Sequence, residues 1–471
     1  MKINKTVNIL IIGGTGFWSR QNHIPSLTSL KKEGVPLKIV AICDTTNPFN
    51  RDNKGFSTSL FQSDLPKWID AKKNIKNIFL ELDKINREQK FDLMLIATNP
   101  IYHYEYAVWG LKRMINVICD KPIVVAKNSS FNYNQACSIY NKFTELKKLV
   151  KKAQNKNKDY IFSTPLRRRV LSPFLYIADN LKEVYKTTEE GIRHMNVIIN
   201  NGINKYPIEL FDPGAHGYIN GVGSLSHSSY HYIDIMAWYL AIAPGKTKRI
   251  QIETPYVFRI KDYLDNEGYK CIQNLIEVKD LPKNSIFSKA ILASELDFKF
   301  NMRLLDKYNK LTGSISFSNN HTSFTPRLTQ YNPAKLEYAN EVNGGRMSQI
   351  YFDIHQGAIQ NFQLIKNDVV FTKNEIKLFI RKHPRLGSKY TEKIYRDAYT
   401  KNTFTPRDLI KSVVKQIAGF PVDRSVLTKL AKIDNQILTN KIFSAFYELI
   451  ANEYLIKKGR NKPISKTIEL I

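Results

Sequence analysis

Residues 13–25 read GGTGFWSRQNHIP, with Gly13, Gly14 and Gly16 inside four positions. Such a stretch does one of two things. It makes a plain tight turn, or it lets backbone N–H groups at a helix start approach an anion. Asp44 stands 30 positions after Gly14. A carboxylate there can accept both ribose hydroxyls of NAD and repel the 2′-phosphate of NADP. The alternative is an Asp that opens a turn, because DTTNPFN is rich in turn residues. Arg51 and Lys54 follow and keep NADP open. A second group is His227 and His231. On a helix, residues four apart share a face, so two imidazoles there can relay a proton. His-x-x-x-His also raises a metal. The sequence offers no clear third ligand, so none is expected.

These residues need elements to hold them. TVNILIIGG is a short apolar, β-branched run ended by glycine, the pattern of a strand buried on both faces. SLTSLKKEG reads as the end of a helix stopped by Gly34. PLKIVAICD gives a second strand over 37–43 closing on Asp44, FDLMLIATNP a third over 91–98, and INVICDKPIVV a fourth, with the helix YEYAVWGLKRM between the last two. Alternation of this kind predicts a doubly wound parallel sheet. The glycines then follow a strand and precede a helix, the setting of a pyrophosphate cradle. Ser19 occupies the third fingerprint position, where Gly or Ala is usual. Beyond residue 150, RHMNVIIN, SELDFKFNMRLL, LTGSISFS and QIYFDIH alternate as half-buried antiparallel strands. The expected organisation is an α/β Rossmann domain over 1–150 and an α+β domain over 151–471 with a large, mostly antiparallel sheet. The latter would carry substrate binding and oligomerisation, and its final helix, about 438–458, is expected to pack back near the first domain.

Composition bounds the function. The 471 residues carry 71 Lys and Arg against 42 Asp and Glu, a net charge of +29. That balance raises nucleic acid or an anionic membrane. The basic residues are mostly Lys spread along the chain among Asn and Ile, so neither partner is expected. The dense runs at 147–158, 167–169 and 381–389 read as solvated surface or a steering field for an acidic substrate. Cys43, Cys119, Cys137 and Cys271 are widely spaced, without CxxC, and imply reduced thiols rather than disulfides or zinc. Neither a signal-peptide core nor a membrane span is visible, so a cytoplasmic protein is expected.

Two longer stretches carry a resemblance. LIATNPIYHYEYAVWGLKRMINVICDKPIVV (95–125) and GVGSLSHSSYHYIDIMAWYL (221–240) resemble segments of the Gfo/Idh/MocA oxidoreductase family, the type of glucose–fructose oxidoreductase and inositol dehydrogenase. The matching residues are Thr98, Asn99, Pro100, His103 and Asp120-Lys121-Pro122, then Gly221, Gly223, Leu225, His231 and Asp234. Residues 441–464 resemble the closing helix and strand, while 45–90, 265–300 and 380–430 look like expansions. Three positions depart from the pattern: Asp120 replaces Glu, His227 replaces Asp, and Ser229 replaces Gly.

The resemblance implies hydride transfer between NAD, or NADP, and a secondary alcohol or ketone of a sugar, nucleotide sugar, inositol or related metabolite. It implies cofactor contacts at Gly14, Thr15, Gly16, Asp44, Thr98, Asn99, His103, Asp120 and Lys121, with Phe17 and Trp18 either touching the cofactor or packing the helix. Lys121, His231 and Asp234 would meet substrate, with Lys121 polarising its oxygen and His231 accepting the proton. His227 is a third catalytic candidate, and with no carboxylate at that position a shifted pH optimum is expected. An open sheet implies a homodimer or homotetramer built on it. Two other readings stand beside this one. One is a non-catalytic sensor of NAD and a sugar. The other is a glucose-6-phosphate-dehydrogenase-like enzyme, suggested by Gly13, Gly16, Arg20, Pro25 and Leu27 but opposed by Lys261 and Asp262.

Overall fold

The computed structural model describes residues 5–16, 18–49, 65–202, 217–266, 287–323, 331–332, 337–338, 349–367, 375–387, 390–396, 405–423, 431–460 and 463–470. Phe17, Arg51, Lys54 and Cys271 lie outside them. The chain forms two compact units. One comprises Met1–Val125, Asn141–Val170 and Phe404–Gln436, the other Ala126–Tyr140, Leu171–Thr403 and Ile437–Ile471.

The first unit is built on β1 (Val7–Ile12), β2 (Leu37–Asp44), β3 (Lys67–Asp70), β4 (Leu93–Ile96), β5 (Asn116–Cys119) and β6 (Phe162–Thr164). They run parallel in the order β6-β5-β4-β1-β2-β3, and a short strand, Ala431–Lys432, pairs antiparallel with β6. β4 is buried at every position and β1 at all but one, as a strand covered on both faces must be. Helices α1 (Ile24–Lys32), α2 (Ile75–Glu88) and α3 (His103–Lys112) connect the strands, and α4 (Tyr133–Lys156) and α5 (Ser172–Thr188) follow in the chain. The Asn74 side chain caps α2 by accepting the Lys76 N–H at 2.9 Å, which satisfies a donor the helix leaves open. A helix from the far end of the chain, Pro406–Ala418, also belongs to this unit. Its Leu409, Ile410, Val413 and Val414 share one core with Val7, Ile9, Leu27 and Leu30. A capping box between Thr405 and Asp408 starts it, and Gly419 at φ 87° ends it.

The second unit carries a ten-stranded sheet. Its strands are β7 (His194–Asn200), β8 (Arg249–Glu253), β9 (Tyr256–Arg259), β10 (Glu295–Leu305), β11 (Leu311–Asn319), and, after a two-residue hairpin of β12 (Tyr331–Asn332) and β13 (Glu337–Tyr338), β14 (Gln349–Gln356), β15 (Gln360–Asn367), β16 (Ile376–Lys382), β17 (Tyr390–Tyr395) and β19 (Ser465–Glu469), counting Ala431–Lys432 of the first unit as β18. The order is β17-β16-β15-β14-β7-β11-β10-β8-β19, with β9 also on β10. Only β7 and β11 pair in parallel. Phe298, Phe300 and Phe317 lie on the covered face, where Phe300 stacks on Phe446 of the helix Ile437–Ile456 at 3.7 Å. The other face shows His194, Asn196, Ser314, Ser316, Asp353 and His355 around a shallow cavity of about 210 Å³. The fold is therefore the doubly wound parallel sheet and the large, mostly antiparallel sheet that the two sequence periods imply.

Candidate active site

β1, β2, β4 and β5 run parallel, so their carboxyl ends gather at one edge of the sheet. Gly13 follows β1 at φ 80°, and its N–H donates to the Cys43 carbonyl at 2.8 Å. A Cβ at Gly13 would sit 2.6 Å from the Ala97 oxygen, and one at Gly14 would sit 2.7 Å from Ile42 Cγ2. Packing alone thus explains both residues. Gly16 differs: among the described residues, a Cβ there meets nothing closer than 3.5 Å. Its missing side chain is not required by neighbouring atoms. Ser19, at the third fingerprint position, is fully buried. Its hydroxyl lies 3.1 Å from Nδ1 of His23, and burial lowers the His23 pKa to about 3. Trp18 is half-buried, and its indole N–H is enclosed with no acceptor among the described residues.

Asp44 closes β2 and is 7 % exposed. One carboxylate oxygen accepts the Thr15 N–H at 2.7 Å, and the other accepts Thr46 N–H at 3.3 Å. The carboxylate is therefore tied to the glycine turn. After β4, the Asn99 side chain accepts the Ile101 N–H at 3.3 Å and caps the turn that leads into α3. His103 is 0 % exposed, with Nε2 3.0 Å from the Thr98 carbonyl and Nδ1 2.8 Å from the Pro122 carbonyl. Burial lowers its pKa, against the pull of Asp120. A neutral imidazole has one proton, so it donates to one of the two carbonyls. Expected as a cofactor contact, the ring lies between the loop after β4 and the loop after β5, within reach of one carbonyl from each. In that second loop, Asp120 N–H donates to the Ile96 carbonyl at 2.9 Å. One Asp120 oxygen is enclosed with no donor among the described residues, and burial raises its carboxyl pKa. Lys121 is half-buried beside it, and its peptide with Pro122 is cis.

In the second unit, a turn over 217–223 feeds a π-helical turn, Leu225–Ser229, and then α6 (Tyr230–Ile242). A Cβ at Gly223 would fall 2.0 Å from the Glu295 carbonyl oxygen. Gly221 has φ 66° and packs on Asn128. Glu295, fully buried, holds this turn. It accepts Gly223 N–H at 2.9 Å, Leu225 N–H at 3.3 Å, the Tyr447 hydroxyl at 3.2 Å and the Ser130 hydroxyl at 2.5 Å. Burial raises its pKa, partly offset by those donors and by Arg259. Arg259, also buried, donates to the carbonyls of Ser130, Ala293 and Ile450 and pairs with Glu453 at 2.6 Å. His227 lies in the π-turn, with Nε2 3.1 Å from the Tyr218 hydroxyl and Nδ1 2.7 Å from the Ser228 hydroxyl. His231 lies in the first turn of α6 and is half-buried. Asp234, expected to meet substrate, is 1 % exposed and accepts the Thr439 hydroxyl at 2.9 Å. Its carboxylate faces the helix Ile437–Ile456.

Residues 7–158 match the sequence profile GFO_IDH_MocA, the oxidoreductase family with an NAD-binding Rossmann fold. This stretch is a Gfo/Idh/MocA domain. The whole chain is similar in fold to several solved oxidoreductases. A levoglucosan dehydrogenase in complex with NADH aligns with a TM-score of 0.54 at 12 % identity, over 99 % of this chain and 100 % of that one. An aldose–aldose oxidoreductase from Caulobacter crescentus, complexed with glycerol, gives 0.53 at 10 %, over 99 % and 100 %. An oxidoreductase structure from Thermotoga maritima gives 0.52 at 13 %, over 98 % and 100 %. No curated protein matches the sequence.

Within the Gfo/Idh/MocA domain, the topology brings Gly14, Thr15, Gly16, Trp18, Asp44, Thr98, Asn99, Asp120 and Lys121 to one sheet edge, with His103 beneath them. Phe17 lies outside the described residues. The second unit brings His227 and His231 to one helix start and turns Asp234 into its core. Sequence reasoning missed His23, Glu295, Arg259, Asp297 and His321. None of them has a local motif, and a buried charge inside a strand-like run, as in SELDFKF, was the only signal. Among the described residues, no three His, Cys, Asp or Glu side chains cluster as metal ligands, and no helix is long and apolar enough to cross a membrane.

Proposed function

We propose that the chain is an NAD(P)-dependent oxidoreductase acting on a secondary alcohol or ketone of a sugar, nucleotide sugar, inositol or related metabolite. The observation that carries this reading is the glycine turn. Contacts with β2 and β4 explain Gly13 and Gly14 but leave Gly16 without a packing reason. A backbone that keeps a Cβ away at this point, before a helix start, suits the close approach of a pyrophosphate. Asp44, fixed to Thr15 N–H at 2.7 Å, is pre-oriented beside that turn and still has lone pairs for a ribose hydroxyl. The donor set thus fits a dinucleotide.

The nicotinamide, when bound, supplies the acceptor or donor of hydride. The chain's own residues do the rest. Lys121 offers a positive charge to an oxygen that gains negative charge in the transition state. The His103 strut fixes the loop that carries it. His231 takes the hydroxyl proton in the oxidative direction and returns it in reduction. Assembly into a homodimer or homotetramer through the exposed face of the large sheet belongs to the same proposal. Binding of NADH and of NADPH, followed by calorimetry or nicotinamide fluorescence, is the test. Micromolar binding of one, then turnover in a sugar and polyol screen with it, is expected. No binding of either overturns the reading, and binding without turnover of any alcohol favours a sensor.

A further inference from the structure

The basic run at 381–389 has no part in the oxidoreductase reading, and the fold gives its first residues a place. A tight turn with Gly357 at φ 57° joins β14 to β15, and the His383 N–H donates to the Ile359 carbonyl at 2.8 Å, which brings the end of β16 against that turn. A cavity of about 330 Å³ lies here, and among the described residues His355, Gln360, Asn361, Arg381, Lys382 and His383 line it together with the turn. Successive residues of a strand face opposite sides. Arg381 therefore stands on the open face of the sheet and Lys382 on the side of α5, and the cavity, at the strand ends, is reached from both. The charges around it are not balanced. Lys382 Nζ donates to the side-chain oxygen of Asn180 in α5, a neutral partner, and keeps two N–H groups. Two carboxylates stand near, and both are engaged. Asp353 accepts an Asn361 amide N–H at 2.7 Å and lies 3.2 Å from Nε2 of His355. Glu190, whose carboxyl carbon a Cβ at Gly357 would meet at 2.8 Å, holds Arg193 at 2.6 Å. Neither Arg381 nor Lys382 forms an ion pair among the described residues. His383 Nδ1 accepts the Arg385 N–H at 3.3 Å, so the proton of the neutral ring is on Nε2. The Gln360 amide donates to the Asn180 carbonyl at 3.2 Å and to Gln356 Oε1 at 2.6 Å, which fixes its orientation. Its own Oε1 is enclosed with no donor among the described residues.

We propose that this cavity binds a small phosphorylated metabolite. Arg381, Lys382 and the Nε2–H of His383 take the phosphate, and the Gln360 oxygen accepts a hydroxyl of the ester. Two cations that approach from the two sides of a sheet suit the tetrahedral oxygens of a dianion better than one planar carboxylate. The volume is that of a small-metabolite pocket. The site also stands apart from the candidate active site. β14 runs from Gln349 to Gln356, and the cavity lies at its second end. The first end pairs with Asn200 of β7, beside Asn319 of β11, and His321 follows there with its ring 5.3 Å from that of His227. Seven strand steps separate the two ends, roughly 23 Å. The phosphate is thus carried by a second ligand and is no part of the substrate's own subsite.

The test is calorimetric titration of the full chain with glycerol 3-phosphate, and with malate as the carboxylate counterpart that also carries a hydroxyl. Ionic strength is held constant with chloride, because a net charge of +29 attracts any anion without a site. Glycerol 3-phosphate should bind saturably, in the millimolar range or tighter, and should raise the melting temperature with concentration. Arg381→Gln and Lys382→Gln should each weaken it by about tenfold, and the double variant should show no saturation. Lys299→Gln removes an exposed charge from the same open face, on β10, and should leave binding unchanged. No saturable binding by wild type overturns the proposal. So does an equal loss in Lys299→Gln, which would mark a diffuse field, and so does malate binding as tightly as glycerol 3-phosphate. If Lys382→Gln does not fold, the exposed Arg381 carries the test, and unchanged binding in Arg381→Gln overturns it.

Discussion

The strand-end edge of the first unit and the turn before α6 in the second are both shaped by glycine, yet different forces hold them. At the strand ends the fixing contacts are mostly between backbone atoms, Gly13 N–H to Cys43 and Asp120 N–H to Ile96, with one imidazole lying between two carbonyls. Around the α6 turn they are buried charges. Glu295 alone takes four donors, and Arg259 reaches three carbonyls and a carboxylate. A surface that grips a common cofactor can rely on backbone and be repeated between proteins. A surface that selects one substrate needs side chains drawn from distant strands. The first region is held largely through its backbone, the second through side chains drawn from distant strands.

The contrast is broken most directly at the glycines. Gly13→Ala adds an atom 2.6 Å from a carbonyl oxygen at φ 80°, and Gly223→Ala adds one 2.0 Å from another. Each should cost roughly 2–5 kcal/mol from overpacking and, at Gly13, the left-handed backbone. Thermal unfolding measures the cost. The two then part company: Gly13→Ala should abolish NADH binding, whereas Gly223→Ala should keep it in whatever fraction stays folded. Equal loss in both would remove the distinction. Next comes Lys121→Ala, for which turnover should fall by about 100-fold or more while the Kd for NADH changes little. Loss of both would make Lys121 structural.

The pH dependence of stability should separate the regions by sign. Burial drives His23 from 6.5 to about 3, so the folded chain keeps it neutral while the unfolded chain protonates it. That contribution is full above 6.5 and is lost as pH falls, by about 5 kcal/mol at most. Glu295 behaves oppositely. Its folded pKa is raised above 4.5, so the protonated form favours the fold. This contribution is full below 4.5 and is lost as pH rises through the folded value. Asp120, also raised by burial, gives the first unit one group of the second kind. Melting temperature against pH should lose its acid-side drop in His23→Gln and its opposing slope in Glu295→Gln. Curves parallel to wild type in both variants would mean neither group is linked to folding.

What the sequence disclosed follows the same divide. The parallel sheet was legible because each strand is a short apolar run closed by Gly, Asp or Pro, and the residues expected to meet a cofactor sit beside those ends. His227 and His231 were legible as a pair because helical spacing is local. The contact of His321 with His227 was not, since His321 lies 94 positions away, in the turn after β11. The burial of His103 was hidden for a related reason. A polar residue at a helix start looks available, and only the fold shows two carbonyls closing on its ring. Asp234 shares a helix face with His231 in the sequence pattern, but the helix Ile437–Ile456 covers it.

The smallest effect sharpens the comparison most, because Asp44 belongs to both kinds of fixing. It is a charge, yet it is held by a backbone N–H. Asp44→Ala removes the acceptor for Thr15 and the charge together, and NADH binding should weaken by about tenfold, ~1.4 kcal/mol. Asp44→Asn separates the two. Its side-chain oxygen still accepts Thr15 N–H, so the turn keeps its shape, while the negative charge that repels a 2′-phosphate is gone. NADH should then bind within a few-fold of wild type, and NADPH should gain relative to it. If Asn and Ala weaken NADH equally with no gain for NADPH, the Asp44 charge plays no part in choosing the nucleotide, and its work is only to brace the glycine turn.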